Sequence, residues 1–355
     1  METPLKNLQV LTGVRGFADY WSCELPTEFA GYEVEYRAGR ASVALADTNW
    51  HATFELTGPD RVRYLNAMVS NDLKTLAEGR GTLALLLSVQ GRILAELEAY
   101  VLPEKIVVRT HDSARQTVDE TLKQYIIMDD VEFTDVSDAK ASVAIEGPRA
   151  EVVFAKTTGR ALAELSEAAT AEVRVGGVSC LAIRRSQIGG VGVEFMTRRE
   201  DIEMLWNLLR RAVQSAGGTA IGMAALESLR LEAGIPRYPV DFNETVIPHE
   251  AGVIETHVSF SKGCYTGQEI VERVRSRGQV NRQRVRLMFS TQQVPRFAER
   301  LDVAGKEAGI VTSAAYSPAA QTAIGMGYVR REFAAPETQL DIAGGVARVI
   351  GPKAL

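Results

Sequence analysis

Twice in this chain an apolar strand pattern ends in Gly-Pro and gives way to a helical pattern. The first instance is Ala52-Thr53-Phe54-Glu55-Leu56-Thr57 followed by Gly58-Pro59-Asp60. The second is Ala141-Ser142-Val143-Ala144-Ile145-Glu146 followed by Gly147-Pro148. Gly-Pro pairs punctuate a chain because glycine reaches backbone conformations closed to other residues and proline cannot continue a strand ladder. Each phrase therefore reads as a strand that turns sharply into a helix, and the repetition suggests an internal duplication.

The pattern between and after the two phrases fills in the elements. Val62, Leu65, Val69 and Leu73 recur at helical spacing, with an interruption near Ser70-Asn71-Asp72. Thr82 to Leu87, a Gln90-Gly91 turn and Arg92 to Leu97 read as a β-hairpin. Val101 to Thr110 predicts a strand, Ser113 to Tyr125 an amphipathic helix and Val131 to Val136 another strand. The second cycle has strands near Val173 and at Leu181 to Ile183. A helix follows from about Asp201 to Ser215, with Ile202, Leu205, Leu208, Leu209, Ala212 and Val213 on one face, stopped by Gly217-Gly218. Met223 to Ala233 predicts a further helix. Residues up to about Arg40 read as irregular, and after Arg282 short strands separated by Gly, Pro, Ser and Ala suggest a small β-barrel or sandwich. Strands and helices mix without a strict βαβ rhythm, which favours α+β over a doubly wound sheet. At 355 residues the chain divides into 1–138 and 139–281, both α+β, and a barrel at 282–355.

A net charge of -5 gives no overall attraction to nucleic acid or to an anionic membrane. No apolar run is long enough to cross a bilayer, and Met1 to Lys6 lacks the basic start and apolar stretch of a signal peptide, so the expected location is the cytoplasm. Cys23, Cys180 and Cys264 are odd in number, far apart and not spaced for zinc or an iron–sulfur cluster, and read as reduced thiols. His249 and His257 lack further ligands for a metal site and read as structural.

The most unusual segment is Lys262-Gly263-Cys264-Tyr265-Thr266-Gly267-Gln268-Glu269, followed by a helical pattern and by Arg273, Arg275, Arg277 and Arg282. A thiol between two glycines, near an ammonium and a helix start, sits where thiolate is favoured. Arg273 and Arg277 are spaced to share a helix face and could meet an anion together. The segment resembles the signature of the YgfZ-type folate-binding proteins, relatives of the aminomethyltransferase (T-protein) of the glycine cleavage system. Leu56 to Asp60 with Tyr64-Leu65-Asn66, Leu226 to Pro236, Pro248 to Gly252 and Gly309 to Ser313 are similar to phrases that the two families share. The resemblance implies three subdomains around a central channel that holds folate, with 1–138 as the first folate-binding subdomain and the Cys264 loop in the second.

The same resemblance assigns roles. Glu194, in Gly190-Val191-Gly192-Val193-Glu194-Phe195, falls where relatives anchor the pterin, and a carboxylate suits the ring N–H donors. Arg230, Lys262, Tyr265, Gln268 and Arg273 are further candidates for holding tetrahydrofolate or a one-carbon derivative. Cys264 is the candidate functional thiol. Aminomethyltransferases carry an acidic pair on the hairpin strand; here Gly91-Arg92-Ile93-Leu94-Ala95-Glu96 keeps only Glu96, the candidate catalytic acid. Ala95 and Cys264 both point to a folate-binding accessory protein for iron–sulfur cluster assembly or repair, with client or assembly proteins as partners. The alternatives are an aminomethyltransferase that uses Glu96 and a tRNA-modification accessory that uses the arginine cluster.

Overall fold

The computed structural model describes residues 1–351, and for Arg277 the backbone alone. The first forty residues are more regular than their polar, aromatic-rich sequence predicts: α1 (Lys6–Leu11), a hairpin of β1 (Gly16–Tyr20) and β2 (Cys23–Glu28), and α2 (Tyr32–Ala41) precede β3 (Ala44–Asp47). The Glu35 carboxylate organises the entry to α2 by accepting from the backbone N–H groups of Phe29, Ala30 and Gly31. Such a tertiary anchor is invisible to local propensity.

The two Gly-Pro phrases open two copies of one unit. The first runs β4 (His51–Thr57), α3 (Arg61–Met68), β5 (Arg80–Leu87), β6 (Ile93–Val101), β7 (Ile106–His111), α4 (Arg115–Gln124) and β8 (Glu132–Asp135). The second runs β9 (Lys140–Glu146), α5 (Ala150–Thr158), β10 (Thr170–Val175), β11 (Val178–Ile183), β12 (Gly192–Arg198), α6 (Ile202–Ser215) and β13 (Thr219–Ile221). The sheets are ordered β5-β6-β7-β4-β8 and β10-β11-β12-β9-β3-β13, so β3 from the N-terminal segment is inserted between β9 and β13. At both turns only glycine fits. Gly58 and Gly147 have φ of +95° and +109°, and a Cβ on either would press on backbone oxygens of Asp130 or Gly39. The strand expected from Val101 is broken, since β6 ends at Val101 and β7 starts at Ile106.

α7 (Met223–Ala233), α8 (Pro248–Ala251), α9 (Ile254–His257) and α10 (Gln268–Arg277) then lead to a closed barrel of β14 (Arg282–Phe289), β15 (Arg300–Val303), β16 (Lys306–Ser317), β17 (Thr322–Arg330), β18 (Gln339–Ile342) and β19 (Gly345–Ile350), in the order β14-β17-β16-β15-β18-β19. Among the described residues no helix is long and apolar enough to cross a membrane.

The segment that carries the cysteine motif departs from the expected division. Tyr238, Phe242, Val246, Ala251, Val253, Val258, Tyr265 and Val271 are buried in the core of the first sheet, with Phe54, Leu85, Leu97 and Val108, and not in that of the second. The cause is apolar area: each of the larger side chains among them gains about 1.5–3 kcal/mol by burial, and the uncovered face of the β4–β8 sheet offers it. α8, α9 and α10 thus line the first subdomain, and the channel-side strands β6 and β7 come to face β12 of the second sheet.

Candidate functional site

β6 alternates strictly. Ala95, Leu97 and Ala99 are buried in the first core, while Glu96, Glu98 and Tyr100 point the other way, toward the second sheet. Glu98 stands opposite Arg109 of β7 in register, and Glu194 of β12 meets that arginine from across the gap. The Arg109 guanidinium donates to Glu194 Oε2 through Nη1 at 3.0 Å and to Oε1 through Nη2 at 2.5 Å. Nη1 also reaches Glu98 Oε2 at 3.3 Å. Glu98 further accepts from Tyr100 Oη at 2.9 Å and pairs with Arg185 Nη1 at 2.6 Å. The Thr48 hydroxyl donates to Glu194 Oε1 at 2.8 Å. Burial alone would push both carboxyls up. Arg185 and Arg109 beside Glu98, and Arg109 and His51 beside Glu194, outweigh it and hold both below the ordinary carboxylate range.

Two histidines in the same cleft are neutral. Burial, with Arg109 adjacent, lowers His51 to about 4; burial, with His51 and Arg237 nearby, lowers His111 to about 3. Arg109 Nη2 lies 2.6 Å from His51 Nδ1 and can only donate, so the His51 proton sits on Nε2. Ser113 N–H donates to His111 Nδ1 at 3.2 Å, which places that proton on Nε2 as well.

Glu96 is the exception in this crowded cluster. One oxygen, Oε1, lies 2.8 Å from His257 Nε2, and Oε2 takes no hydrogen bond among the described residues. The His257 ring is 4% exposed and its Nδ1 lies 2.7 Å from Thr256 Oγ1 and 3.2 Å from Val253 O. The cleft is bounded by Trp50, His51, Glu96, Arg185, Arg237 and Tyr238, and leaves about 40 Å³ free, room for a few waters. Arg185 and Gln187 enter it from the segment between β11 and β12. Glu146 secures that segment by accepting from Ser186 Oγ at 2.6 Å and Gln187 N at 2.9 Å.

Of the residues expected from sequence, Glu96 and Glu194 are brought together here. The others lie elsewhere. Arg230 is a fully buried residue of α7 that pairs with Glu227 and Asp241. The Lys262 ammonium donates to the carbonyls of Asn66 and Val69 at the end of α3 and lies over the Tyr265 ring at 4.9 Å. Burial lowers this lysine to about 8 and raises Tyr265 to about 12. Gln268 opens α10, and the exposed Arg273 pairs with Glu269 at 2.7 Å. The side chain of Arg277 lies outside the described residues, so its shared face with Arg273 does too. Cys264 is the exposed cysteine and does not line the cleft; Cys23 and Cys180 are buried and pushed up to about 12. No group of side chains among the described residues could hold a metal ion.

Sequence reasoning did not single out Glu98, Arg109, Arg185 or Arg237, and it read His257 as structural. A signal existed for the first two, since Glu96-x-Glu98 and the arginine in Ile106-Val107-Val108-Arg109 put charges on one face of otherwise apolar strands. The loss of a carboxylate at Ala95 also weighs less than the sequence implies. That position faces the apolar core, and the cleft-facing position keeps its acid.

Comparisons with known proteins agree with this architecture. Residues 13–262 match the family described as the GCVT N-terminal domain, and residues 282–349 match the glycine cleavage T-protein C-terminal barrel domain. The chain is 27% identical over 341 residues to an aminomethyltransferase of Bacillus licheniformis, covering 96% of this chain and 93% of that one. It is 29% identical over 347 residues to an aminomethyltransferase of Synechocystis sp., covering 96% and 92%. The fold is similar to the crystal structure of the glycine cleavage system aminomethyltransferase T from Bartonella henselae, with a TM-score of 0.89 and 22% identity over 99% of this chain and 97% of that one.

Proposed function

The chain belongs to the glycine cleavage T-protein family in both its N-terminal and its barrel domain, and from that premise we propose that it transfers an aminomethyl-derived one-carbon unit to tetrahydrofolate in the Glu96 cleft. Aminomethyltransferases of this family use tetrahydrofolate, which when bound supplies the nitrogens that take up the one-carbon unit. The observation that carries the reading is the single carboxylate with a free oxygen, Glu96, aimed into the cleft and backed by His257. Release of an amine and attack by a folate nitrogen both move protons, and a positioned carboxylate can accept one at Oε2 and return it. The Nε2–H of His257 steadies Oε1, so the proton-handling oxygen keeps its direction. Trp50 and Tyr238 supply aromatic surface for a flat ring. The free donors of Arg109, Gln187 and Arg237 suit the ring's carbonyl and nitrogen acceptors. With about 40 Å³ free, entry of a bicyclic ring requires side chains to move, and Arg185, which among the described residues pairs with Glu98, is a candidate for that movement.

The test is methylene-tetrahydrofolate formation from tetrahydrofolate and an aminomethyl-lipoyl carrier protein. Turnover is expected, and Glu96→Gln is expected to lower it by about 10²–10⁴ while leaving folate affinity close to that of the parent. Absence of turnover in a protein that still binds folate would sink the transferase reading. It would favour a second one, a folate-binding accessory to iron–sulfur cluster assembly that uses Cys264. One observation supports that second reading: Cys264 is exposed, follows Gly263 and lies outside the cleft, where a partner protein can reach it. The arginine run gives less support to an RNA-directed role, because Arg273 and Arg275 are paired with Glu269 and Glu272.

A further inference from the structure

The duplication builds the gap between the two sheets twice over, once at each end. His51 and Lys140 each stand seven residues before the glycine of their Gly-Pro phrase, and the strand ladders carry that match across each sheet. His51 pairs with His111 of β7 as Lys140 pairs with Arg198 of β12. Arg109 stands between Thr53 and Glu98 as Met196 stands between Ser142 and Leu181. Two residues before Glu98 is Glu96, and two before Leu181 is Ser179. Lys140, Ser179, Leu181, Met196 and Arg198 therefore repeat the positions of His51, Glu96, Glu98, Arg109 and His111. The latter line the cleft already described, and all of the former line one further cavity.

That cavity holds about 590 Å³, inside the range of about 300–1,000 Å³ common for small-molecule sites. It shares no lining residue with the cleft, and the buried cluster of Tyr100, Val107, Ile183 and Met196 stands between the two. It is also uncovered. Trp50 and Pro236 to Tyr238 close over the first cleft, and neither segment lines the second cavity.

The repeated positions carry a different chemistry. The first cleft has charges of both signs at its centre. The second has an apolar centre of Leu102, Val107, Leu181 and Met196, and around it Lys105, Lys140, Arg160, Arg174 and Arg198 outnumber Glu55 and Glu172. Lys105 and Lys140 share one carboxylate, that of Glu55, at 2.8 and 3.7 Å. Arg160 pairs with Glu164, and Arg198 with Glu200 and Asp201, acids outside the lining. Arg174 is exposed and takes no ion pair among the described residues. An apolar surface takes up a hydrocarbon or aromatic body, and an excess of lysine and arginine takes up an anionic group. With Ser179 in the place of Glu96, the cavity is suited to binding and not to the proton handling of the first cleft.

We infer that this second cavity is a binding site for a small organic anion with an apolar body, an aryl or alkyl carboxylate, sulfonate or phosphate ester, separate from the Glu96 cleft. The inference stands on the cavity and the duplication and does not depend on the folate reading.

The probe is 8-anilinonaphthalene-1-sulfonate, an aromatic body with one anionic group, and its fluorescence with the full folded chain is the readout. One dye is expected to bind per chain. N-phenyl-1-naphthylamine, the same body without the sulfonate, is expected to bind at least about tenfold more weakly. Arg174→Glu changes an exposed strand position that holds no ion pair. It is expected to weaken the dye by about fivefold or more with the melting temperature unchanged, and adding Lys140→Gln to weaken it further. Saturating tetrahydrofolate is expected to leave the dye in place. Equal binding of the neutral compound, an affinity that neither variant changes, or displacement of the dye by tetrahydrofolate would each overturn the inference, as would an absence of dye binding. Methylene-tetrahydrofolate formation decides the folate reading separately.

Discussion

His257 determines what Glu96 can do. Its Nε2–H holds Oε1 at 2.8 Å, and its own Nδ1 is held by Thr256 Oγ1 at 2.7 Å, so the carboxylate is aimed through two linked hydrogen bonds. The ring also packs edge-on against Phe242 at 6.2 Å, which fixes its plane. His257→Phe keeps the ring and its packing and removes only the polar link. A hydrogen bond to a charged group is worth about 1.5–3 kcal/mol, so kcat is expected to fall by about tenfold or more. KM for tetrahydrofolate is expected to stay within about twofold, because uniform binding is untouched. His257→Gln, which can still donate, should recover part of the loss. A rise in KM with kcat unchanged would show that His257 serves packing alone. The contrast with Cys264 is instructive at this scale: the residue with the most distinctive sequence surroundings lies outside the cleft, and a histidine with undistinguished surroundings holds the carboxylate that lines it.

At the level of elements, the site is made by two equivalent three-strand meanders brought face to face, with β6 and β7 on one side and β12 on the other. Glu146, the last residue of β9, stabilises the loop that delivers Arg185 and Gln187. Burial raises its carboxyl from 4.5 to about 8, against the opposing effect of Ser186 Oγ–H and Gln187 N–H. Between those pH values the folded chain holds a proton that the unfolded chain has released, so stability falls as pH rises through the interval, by up to about 1.4 kcal/mol per pH unit. Glu146→Gln cannot titrate. Its melting temperature is expected to decline less than the parent's between pH 5 and pH 8, with the gap widest at pH 8; parallel curves would sink the assignment. Much of this level was legible in the sequence, because Gly-Pro punctuation and period-2 or helical apolar spacing are local: α6, α7, the β5–β6 hairpin and the main barrel strands fall where the pattern puts them. α2 was not legible, since the Glu35 anchor that starts it is tertiary. Neither was the lodging of residues 238–271 on the first sheet, which depends on which apolar face is left uncovered. The site was legible only where a family phrase pointed to it, at Glu96 and at Glu194. Arg109, Arg185, Arg237 and His257 come from four separate stretches, and only the packing of the two sheets gathers them.

In the whole molecule, two buried carboxylates help to fasten the third subdomain to the other two: Glu232, which accepts from Ser317 Oγ at 2.5 Å, and Asp241. Asp241 Oδ1 accepts from Thr312 Oγ1 at 2.7 Å and Ser313 Oγ at 2.6 Å, both on β16 of the barrel, and Tyr328 Oη of β17 donates to its carbonyl at 2.8 Å. Asp241 Oδ2 accepts from Arg230 Nη1 of α7 at 2.7 Å and from the backbone N–H of Arg237 at 3.0 Å. Arg230 continues the chain to Glu227, and Glu227 to Tyr20 of the N-terminal hairpin. Opposed burial and pairing leave Asp241 below the ordinary carboxylate range. Removing one partner of a buried ion pair costs about 3–5 kcal/mol, because the other is left without its counter-charge. Asp241→Ala is therefore expected to lower stability by about that amount. It should also let the barrel unfold separately, as a second transition in denaturant at lower concentration than that of the paired sheets. A single transition displaced by less than about 1 kcal/mol would show that the barrel is held by apolar contacts instead. The same substitution has a reach that contact alone does not suggest. Asp241 does not line the cleft, yet its Oδ2 positions the Arg237 backbone whose guanidinium does. Loss of barrel docking and loss of folate affinity should thus appear together in Asp241→Ala. They should separate in Gln187→Leu, which removes an unpaired donor from a cleft-lining residue while leaving the barrel in place.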